Sequence, residues 1–445
     1  MDGGRMTALP QAFLERMKAR LGNEFDEFLR SYDEPYQRGI RFNPHKRMDA
    51  DVSGAGEQVP WEDTGRYLSV ESDAGAQVLH DAGAYYLQEP SAMLPAAVLD
   101  AQPGERILDL CAAPGGKTTQ SALRMNGQGT IICNEPIRDR AKILSRNVER
   151  MGIPNAVVVS AWPEQLAKCW PEAFDAIQCD APCSGEGMFR RHPETRTEWT
   201  PESPAGCAKR QSDILDSAAV MLRPGGRLVY STCTLNEEEN EDVIRAFLQR
   251  HADFSLVGFS LPGADAPDGM LTCYPHRMQG EGHFVALLKK QGDAPGMAWA
   301  VPEFAPKERA LAASLTQALP KGHGANSLRE IAPGEYLLSR VPELPQGGLP
   351  RNVLRTGLHL GTVKISRNGK TPVFTPDHAW AMSILPPDVP HVDLTYEQAR
   401  NYQQGQTIET SGKGWVLACF AGIPLGWGKI SDGVMKNHYP KGIRR

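Results

Sequence analysis

Between about residue 80 and residue 290, short apolar runs alternate with stretches whose apolar side chains recur at helical spacing. The runs predict strands at Arg106–Cys111, Thr130–Asn134, Ala156–Ser160, Phe174–Cys179, Arg227–Ser231 and His283–Leu288. The periodic stretches predict helices near 116–125, 137–151, 204–222 and 237–250. Alternation at this spacing builds a mainly parallel sheet covered on both faces. Such sheets bind ligands in the crevice at the carboxyl ends of their strands.

The flanks read differently. Phe13, Met17, Leu21, Phe25, Phe28 and Leu29 lie at helical spacing and predict one or two amphipathic helices over 9–32. Arg38–Pro44 predicts a short strand ended by a turn, and residues 45–80 carry no clear period. Residues 290–306 are rich in Pro, Gly and Ala and read as a linker, with a short helix expected at 307–319. From about 330, strand-like runs broken by Gly and Pro predict a compact, mostly β module. The expected divisions are therefore a small helix-and-strand extension (1–75), an α/β core (76–290), a linker with a short helix (291–329) and the β module (330–445).

Composition narrows the class. With 41% apolar and 23% charged residues in 445, the chain can bury sizeable cores and is not disordered. No apolar run approaches the ~20 residues of a membrane span, and the start MDGGRMTALPQAF has no apolar signal region. The nine cysteines form no C-x-x-C pair, which argues against a zinc ribbon; reduced thiols, no metal and a cytoplasmic location are expected. Residues 351–445 hold 12 Lys and Arg against 6 Asp and Glu, although the whole chain is at −5. A basic tail on an acidic body suits an anionic partner such as nucleic acid.

Four local features carry chemistry. The string LDLCAAPGGKT (108–118) runs an apolar strand through a small-residue turn into a helix. Gly115 and Gly116 admit a ligand close to the backbone, and the helix start offers unpaired N–H groups. The spacing is neither that of a dinucleotide fold nor that of a phosphate loop. Glu135 ends the next strand, 20 residues beyond Gly115, where a carboxylate can accept both hydroxyls of a ribose. Lys117 is the only basic residue in the turn, which favours a nucleoside cofactor without a pyrophosphate, such as S-adenosylmethionine.

DAPCSGEGMFRR (180–191) and YSTCTLNEEENE (230–241) follow two further strands and bring Asp180, Cys183 and Cys233 to the same sheet edge. The other seven cysteines read as small buried hydrophobes. Paired thiols beside a methyl donor suit cytosine chemistry. Carbon 5 becomes nucleophilic once a thiolate adds to carbon 6, a second polar group helps expel that thiolate, and a carboxylic acid near ring N3 promotes the addition by protonation or hydrogen bonding. The acidic run from Asn236 to Asp242 reads as a capped helix start rather than a metal site.

On these strings the chain resembles the Sun/NSUN-type RNA (cytosine-5) methyltransferases, and among them the bacterial RsmF-type ribosomal RNA enzymes. The match is strong over about 80–290 and looser at both ends. The resemblance implies a Rossmann-like class I S-adenosylmethionine methyltransferase core, an N-terminal RNA-binding extension and a C-terminal PUA-like module. It implies Cys233 as nucleophile, Cys183 as the group assisting product release and Asp180 as the contact to the target base. Cys111, Ala112, Ala113, Pro114, Gly115, Gly116 and Lys117 would wrap the cofactor, with Glu135 and Asp180. Members of this family often hold the adenine amino group with an aspartate near the third strand's end. Here no acid precedes Glu164, and Trp162 is open to packing on adenine or to a core role. Basic and aromatic residues interleave in the tail, so Arg190, Arg191, Trp427, Lys429, Lys436 and Lys441 are expected to meet RNA. The expected partner is 16S ribosomal RNA or the small ribosomal subunit, with the protein a monomer and no membrane involved. A DNA cytosine methyltransferase would need no Thr-Cys partner, so Cys233 argues against that reading. The intact thiol pair and glycine turn argue against a non-catalytic assembly factor.

Overall fold

The computed structural model describes residues 8–46, 52–304, 308–309, 311–312, 324–365, 372–383 and 389–444. Its centre is a sheet built on β1 (Arg106–Asp109), β2 (Thr130–Asn134), β3 (Ala156–Val159), β4 (Phe174–Asp180), β5 (Leu222–Thr232) and β6 (His283–Lys290). These run in the order β6-β5-β4-β1-β2-β3. β1 to β5 are parallel and β6 is antiparallel to β5. Helices α1 (Gly116–Arg124), α2 (Arg138–Arg150), α3 (Pro163–Cys169), α4 (Ser203–Met221) and α5 (Glu241–Arg250) link and cover the strands.

The strands are continuous apolar runs because both sheet faces are buried. Neighbouring residues divide between two cores: Leu108, Ile132, Val157 and Ile177 pack on one face, and Ile107, Ile131, Val158 and Ala176 on the other. α2 shows the complementary helical rule, burying Ala141, Leu144 and Val148 on one stripe. The strand order reverses between β1 and β4, which places a crevice at their carboxyl ends.

The core elements predicted from periodicity all form. One boundary shifts with consequence: α5 begins at Glu241, several residues later than expected. Residues 236–240 turn instead, with Asn236 Oδ1 accepting from Glu238 N–H and the Glu239 side chain fully buried.

The N-terminal helices Gln11–Leu21 and Phe25–Arg30 bury Phe13, Met17 and Phe28 against Phe189, Leu235 and Tyr274 of the core. A four-stranded sheet follows, in the order Ala55–Gln58, Gly65–Leu68, Arg38–Phe42, Tyr85–Leu87. Its fourth strand lies beyond the division expected at residue 75. Two of its strands fall in the stretch without a clear period, because Ala55–Gln58 is an edge strand that is largely exposed.

The C-terminal region departs from a single module. It forms a four-stranded sheet (Ser327–Ala332, Glu335–Arg340, Leu358–Ile365, Pro372–Pro376) and a five-stranded sheet (His391–Leu394, Gly414–Phe420, Ile423–Ser431, Val434–Asn437, Ile408–Glu409). Val353–Thr356 joins neither and extends the central sheet beside β3. The five-stranded sheet shares one apolar core with the N-terminal sheet, where Tyr402 and Leu425 meet Ile40 and Tyr85. Within the linker, Trp299 packs on Phe174 and donates to Ala173 O at 2.9 Å. The helix expected at 307–319 lies almost entirely outside the described residues. Among the described residues no helix is long and apolar enough to cross a membrane.

Candidate active site

β4 and β5 are neighbours, and their register sets Asp180 opposite Ser231. Cys183 follows Asp180 by three residues and Cys233 follows Ser231 by two, so both turns leave the sheet at the same point. The two sulfurs lie 3.3 Å apart and both thiols are free. Sharing a hydrogen with Cys233, burial, and the facing carboxylates of Glu239 and Asp180 push the Cys183 thiol well above its ordinary range. Cys183 is therefore a proton-bearing thiol beside a second sulfur.

The two turns are stitched together. Gly187 N–H donates to Cys233 O at 2.9 Å, and Ser184 Oγ lies 3.0 Å from Thr234 Oγ1. A Cβ at Gly187 would stand 2.9 Å from Cys233 O and 2.4 Å from Gly282 O, so only glycine permits this approach. Glu239 accepts from Ser184 N–H at 2.8 Å, from Ser184 Oγ, and from Gln211 Nε2 at 3.0 Å.

Asp180 stands beside the thiols in a charged cluster. Lys117 Nζ donates to its Oδ2 at 2.8 Å, Ser231 Oγ donates to its Oδ1 at 2.7 Å, and His283 Nε2 is 3.5 Å away. Burial alone raises a carboxyl's pKa, but Lys117 and His283 outweigh it and hold Asp180 well below the usual range. Asp180 is thus an ionised acceptor at rest. In this resting geometry Asp180 is placed to accept a hydrogen bond. Burial and the charge of Lys117 push the His283 imidazole below its ordinary value; His283 was not singled out from sequence as a site residue.

A cavity of about 900 Å³ runs from Cys183 and Cys233 past Asp180, Cys111 and Ala113 to Glu135, Ile137, Arg140 and Trp162. Glu135 is 2% exposed; its Oε1 accepts from Ile137 N–H at 2.9 Å and its Oε2 lies 3.2 Å from Arg140. The turn that carries Cys111 to Lys117 is held from behind. Ala112 N–H donates to Asn134 O at 2.8 Å, and Asn147 Nδ2 donates to Pro114 O at 2.9 Å. Gly115 adopts φ 113°, which a side chain would resist, and its absent Cβ would sit 3.1 Å from Leu144. Gly116 O accepts from Arg41, a buried guanidinium of the N-terminal sheet that also donates to Thr119 Oγ1 at 2.7 Å. Beneath the turn, Asp109 accepts from Thr118 Oγ1 at 2.5 Å and Gln178 Nε2 at 2.6 Å, and burial pushes its carboxyl up to about 7. Trp162 is 52% exposed on the cavity wall, which excludes the core role, and Glu164 lines the wall beside it.

The family model described as 16S rRNA methyltransferase RsmB/F matches residues 96–289. Those for the N-terminal domain of 16S rRNA methyltransferase RsmF and the methyltransferase RsmF PUA domain match 9–90 and 389–445. The ribosomal RNA small subunit methyltransferase F of Klebsiella pneumoniae is 36% identical over 98% of this chain and 96% of its own length. The chain belongs to the 16S rRNA methyltransferase RsmB/F family. Among solved structures it is similar to a methyltransferase homolog protein from Pyrococcus horikoshii, 28% identical with a TM-score of 0.53, over 63% of this chain and all of that one. NSun6 from the same organism, solved with the S-adenosylmethionine analogue SFG, shares the fold at 22% identity and a TM-score of 0.55, over 65% of this chain and all of that one. The chain is a methyltransferase, and S-adenosylmethionine is its methyl donor.

Two residues expected to meet RNA are placed otherwise in this methyltransferase. Arg190 is buried, donating to both Glu281 carboxylate oxygens (2.6–3.1 Å), to Ser31 O at 2.8 Å and to Gly280 O at 2.9 Å. Its guanidinium is consumed in joining the N-terminal helices to the core. Trp427 is 2% exposed, packs on Trp380 with ring centroids 5.3 Å apart, and donates to Asp377 O at 2.9 Å. It is a core residue, because its strand is covered on both faces and its ring packs in a cluster with Trp380 and Leu417. Arg191, Lys429, Lys436 and Lys441 are exposed, and Lys429 Nζ lies 5.4 Å from the centroid of the Trp415 ring. Sequence reasoning also missed Glu239, Gln211 and Arg41. Only Glu239 had a local signal, its place in the run after Cys233.

Proposed function

We propose that this protein methylates carbon 5 of cytosine in 16S ribosomal RNA through a covalent adduct with Cys233. The observation that carries this reading is the pair of thiols 3.3 Å apart in the same cavity as a buried carboxylate, Glu135. The cavity's residues fit the methyl donor. Glu135 suits a ribose diol, Ile137 and Trp162 offer apolar surface to a purine, and the turn Cys111–Lys117 closes the wall. When bound, S-adenosylmethionine supplies an electrophilic methyl group.

Cys233, as thiolate, adds to cytosine carbon 6 and makes carbon 5 an enamine carbon that takes the methyl group. Water entering the open cavity takes the carbon-5 proton, the C5–H electron pair re-forms the ring double bond, and the carbon 6–sulfur bond breaks with its electrons leaving on Cys233. Cys183 assists this release. Its sulfur, 3.3 Å from that of Cys233, is placed to give a hydrogen to the departing sulfur. Ionised Asp180 accepts from the exocyclic amine of the base and so orients carbon 6 toward Cys233. A uracil carbonyl at that place would face a carboxylate and be rejected. The relatives' names and the match to a PUA domain support ribosomal RNA as substrate, and exposed Arg191, Lys429, Lys436 and Lys441 serve phosphate contacts.

The test uses labelled methyl transfer to ribosomal RNA and a denaturing gel. Cys233→Ala abolishes both turnover and adduct. Cys183→Ala permits attack and methyl transfer but stalls as a covalent RNA complex. The reverse pattern would falsify the assignment.

A further inference from the structure

Glu239 is a buried carboxylate with no cation in contact among the described residues, and burial pushes its pKa up. Burying such a group is costly, so its neutral donors must hold it where it acts. Those donors surround Cys183. Ser184 gives Glu239 both its N–H, at 2.8 Å, and its hydroxyl. Gln211 Nε2 bridges, donating to Glu239 Oε2 at 3.0 Å and to Pro182 O at 3.0 Å. Of the chain neighbours of Cys183, Ser184 is tied to the carboxylate directly and Pro182 through Gln211. That carboxylate sits six residues after Cys233, and Tyr230 Oη, on the strand leading to Cys233, donates to Glu239 O at 2.6 Å.

We propose that Glu239 is the positioning residue for Cys183, clamping the turn after β4 to the turn after β5 so that the two thiols stay in contact during product release. The inference rests on the reading of Cys183 as the release residue. Attack by Cys233, which directly follows Thr232 at the end of β5, depends less on the Glu239 side chain than product release does.

The experiment compares Glu239→Ala, Glu239→Gln and Ser184→Ala with Cys183→Ala in the full-length protein with ribosomal RNA. Three quantities are read: multiple turnover, single-turnover methyl transfer, and the fraction of enzyme trapped on RNA. Glu239→Ala lowers turnover by at least about ten-fold while single-turnover transfer stays within about three-fold, and trapped complex accumulates. Glu239→Gln keeps an acceptor oxygen and falls between Glu239→Ala and the parent, and Ser184→Ala traps least. Adding Glu239→Ala to Cys183→Ala produces no further loss, because both remove one function. A merely structural role lowers transfer and turnover in equal proportion and traps nothing; that result overturns the inference while Cys183→Ala still traps. If Cys183→Ala itself fails to trap, the release reading falls and the inference falls with it. Should Glu239→Ala not fold, Glu239→Gln and Ser184→Ala decide by the same trapped fraction.

Discussion

The turns after β4 and β5 and the five-stranded C-terminal sheet both combine charged and aromatic residues, and they use them in opposite ways. In and beside the turns several charges are buried or half-buried and committed: Lys117 to Asp180, Arg190 to Glu281, Glu239 to Ser184 and Gln211. In the C-terminal sheet the aromatics are buried, Trp427 against Trp380 and Tyr439 against Tyr402, while Lys429, Lys436 and Lys441 stand in water. A buried charge is tolerable only with fixed partners, and that fixity is what a reacting base needs. An exposed lysine adds little to the fold and remains free for a phosphate. The same residue types are thus fixed by partners in one region and left open to solvent in the other.

The largest expected effect tests the buried side. Arg190→Ala leaves Glu281 uncompensated and should cost about 3–5 kcal/mol in denaturant unfolding, with the salt dependence of RNA binding unchanged in the folded fraction. Unchanged stability with weaker RNA binding would break the contrast, since Arg190 would then behave like the exposed lysines.

Next comes Glu149 of α2, where the C-terminal region meets the core through His378, at 2.8 Å, and Arg355. Burial raises its pKa, but the hydrogen bond from His378 and the charge of Arg355 outweigh it and lower the carboxyl from 4.5 to about 2. A depressed acid stabilises the fold above its unfolded pKa, and that contribution is lost as pH falls through the folded value. The window is therefore from about pH 4.5 down to about 2. The shift corresponds to about 3 kcal/mol. Glu149→Gln should be less stable than the parent by about that amount at pH 6, with the gap closing toward pH 2. A gap independent of pH would mean that packing, not charge, joins the two regions.

Glu135→Ala should weaken S-adenosylmethionine by at least about ten-fold in calorimetry, as each lost charge-assisted hydrogen bond costs about 1.5–3 kcal/mol. Replacing C-terminal lysines should leave that constant alone. An unchanged constant in Glu135→Ala would remove the ribose assignment.

The smallest effect on the fold belongs to the exposed side. Combined replacement of Lys429, Lys436 and Lys441 by Ala should change stability by less than about 0.5 kcal/mol each. It should flatten the salt dependence of RNA binding by a slope of about 2, close to 0.7 per lost phosphate contact. Trp427→Ala is the control, losing about 3–5 kcal/mol of stability as a core residue. If that protein instead folds normally and binds RNA poorly, Trp427 stacks on bases after all.

Much of the core was legible because its signals are local. Six apolar runs became strands, and the turn glycines stand where φ or close approach requires them, as at Gly115. The hairpin within residues 45–80 was not legible, since an exposed edge strand has no buried face to impose a period. Val353–Thr356 reads locally as one more strand of a C-terminal module, and only the open edge of β3 recruits it to the central sheet. The acidic run after Cys233 misled for a similar reason. Glutamates before a helix look like capping residues, yet Glu239 turns inward because donors from α4 and the turn after β4 await it there.

The sequence by itself determined the strand–turn–helix units, the placing of Asp180, Cys183 and Cys233 at strand ends, and the small-residue turn before α1. These follow from side-chain period and turn chemistry within a few neighbouring residues. Tertiary structure alone decided that β4 and β5 pair so as to bring two sulfurs to 3.3 Å. It also decided that Lys117 pairs with Asp180, that Arg190 is spent on a glutamate 91 residues away, and that Trp427 faces inward. Each of these depends on burial and on a partner distant in the chain, and neither quantity is written in the local pattern of apolar and polar residues.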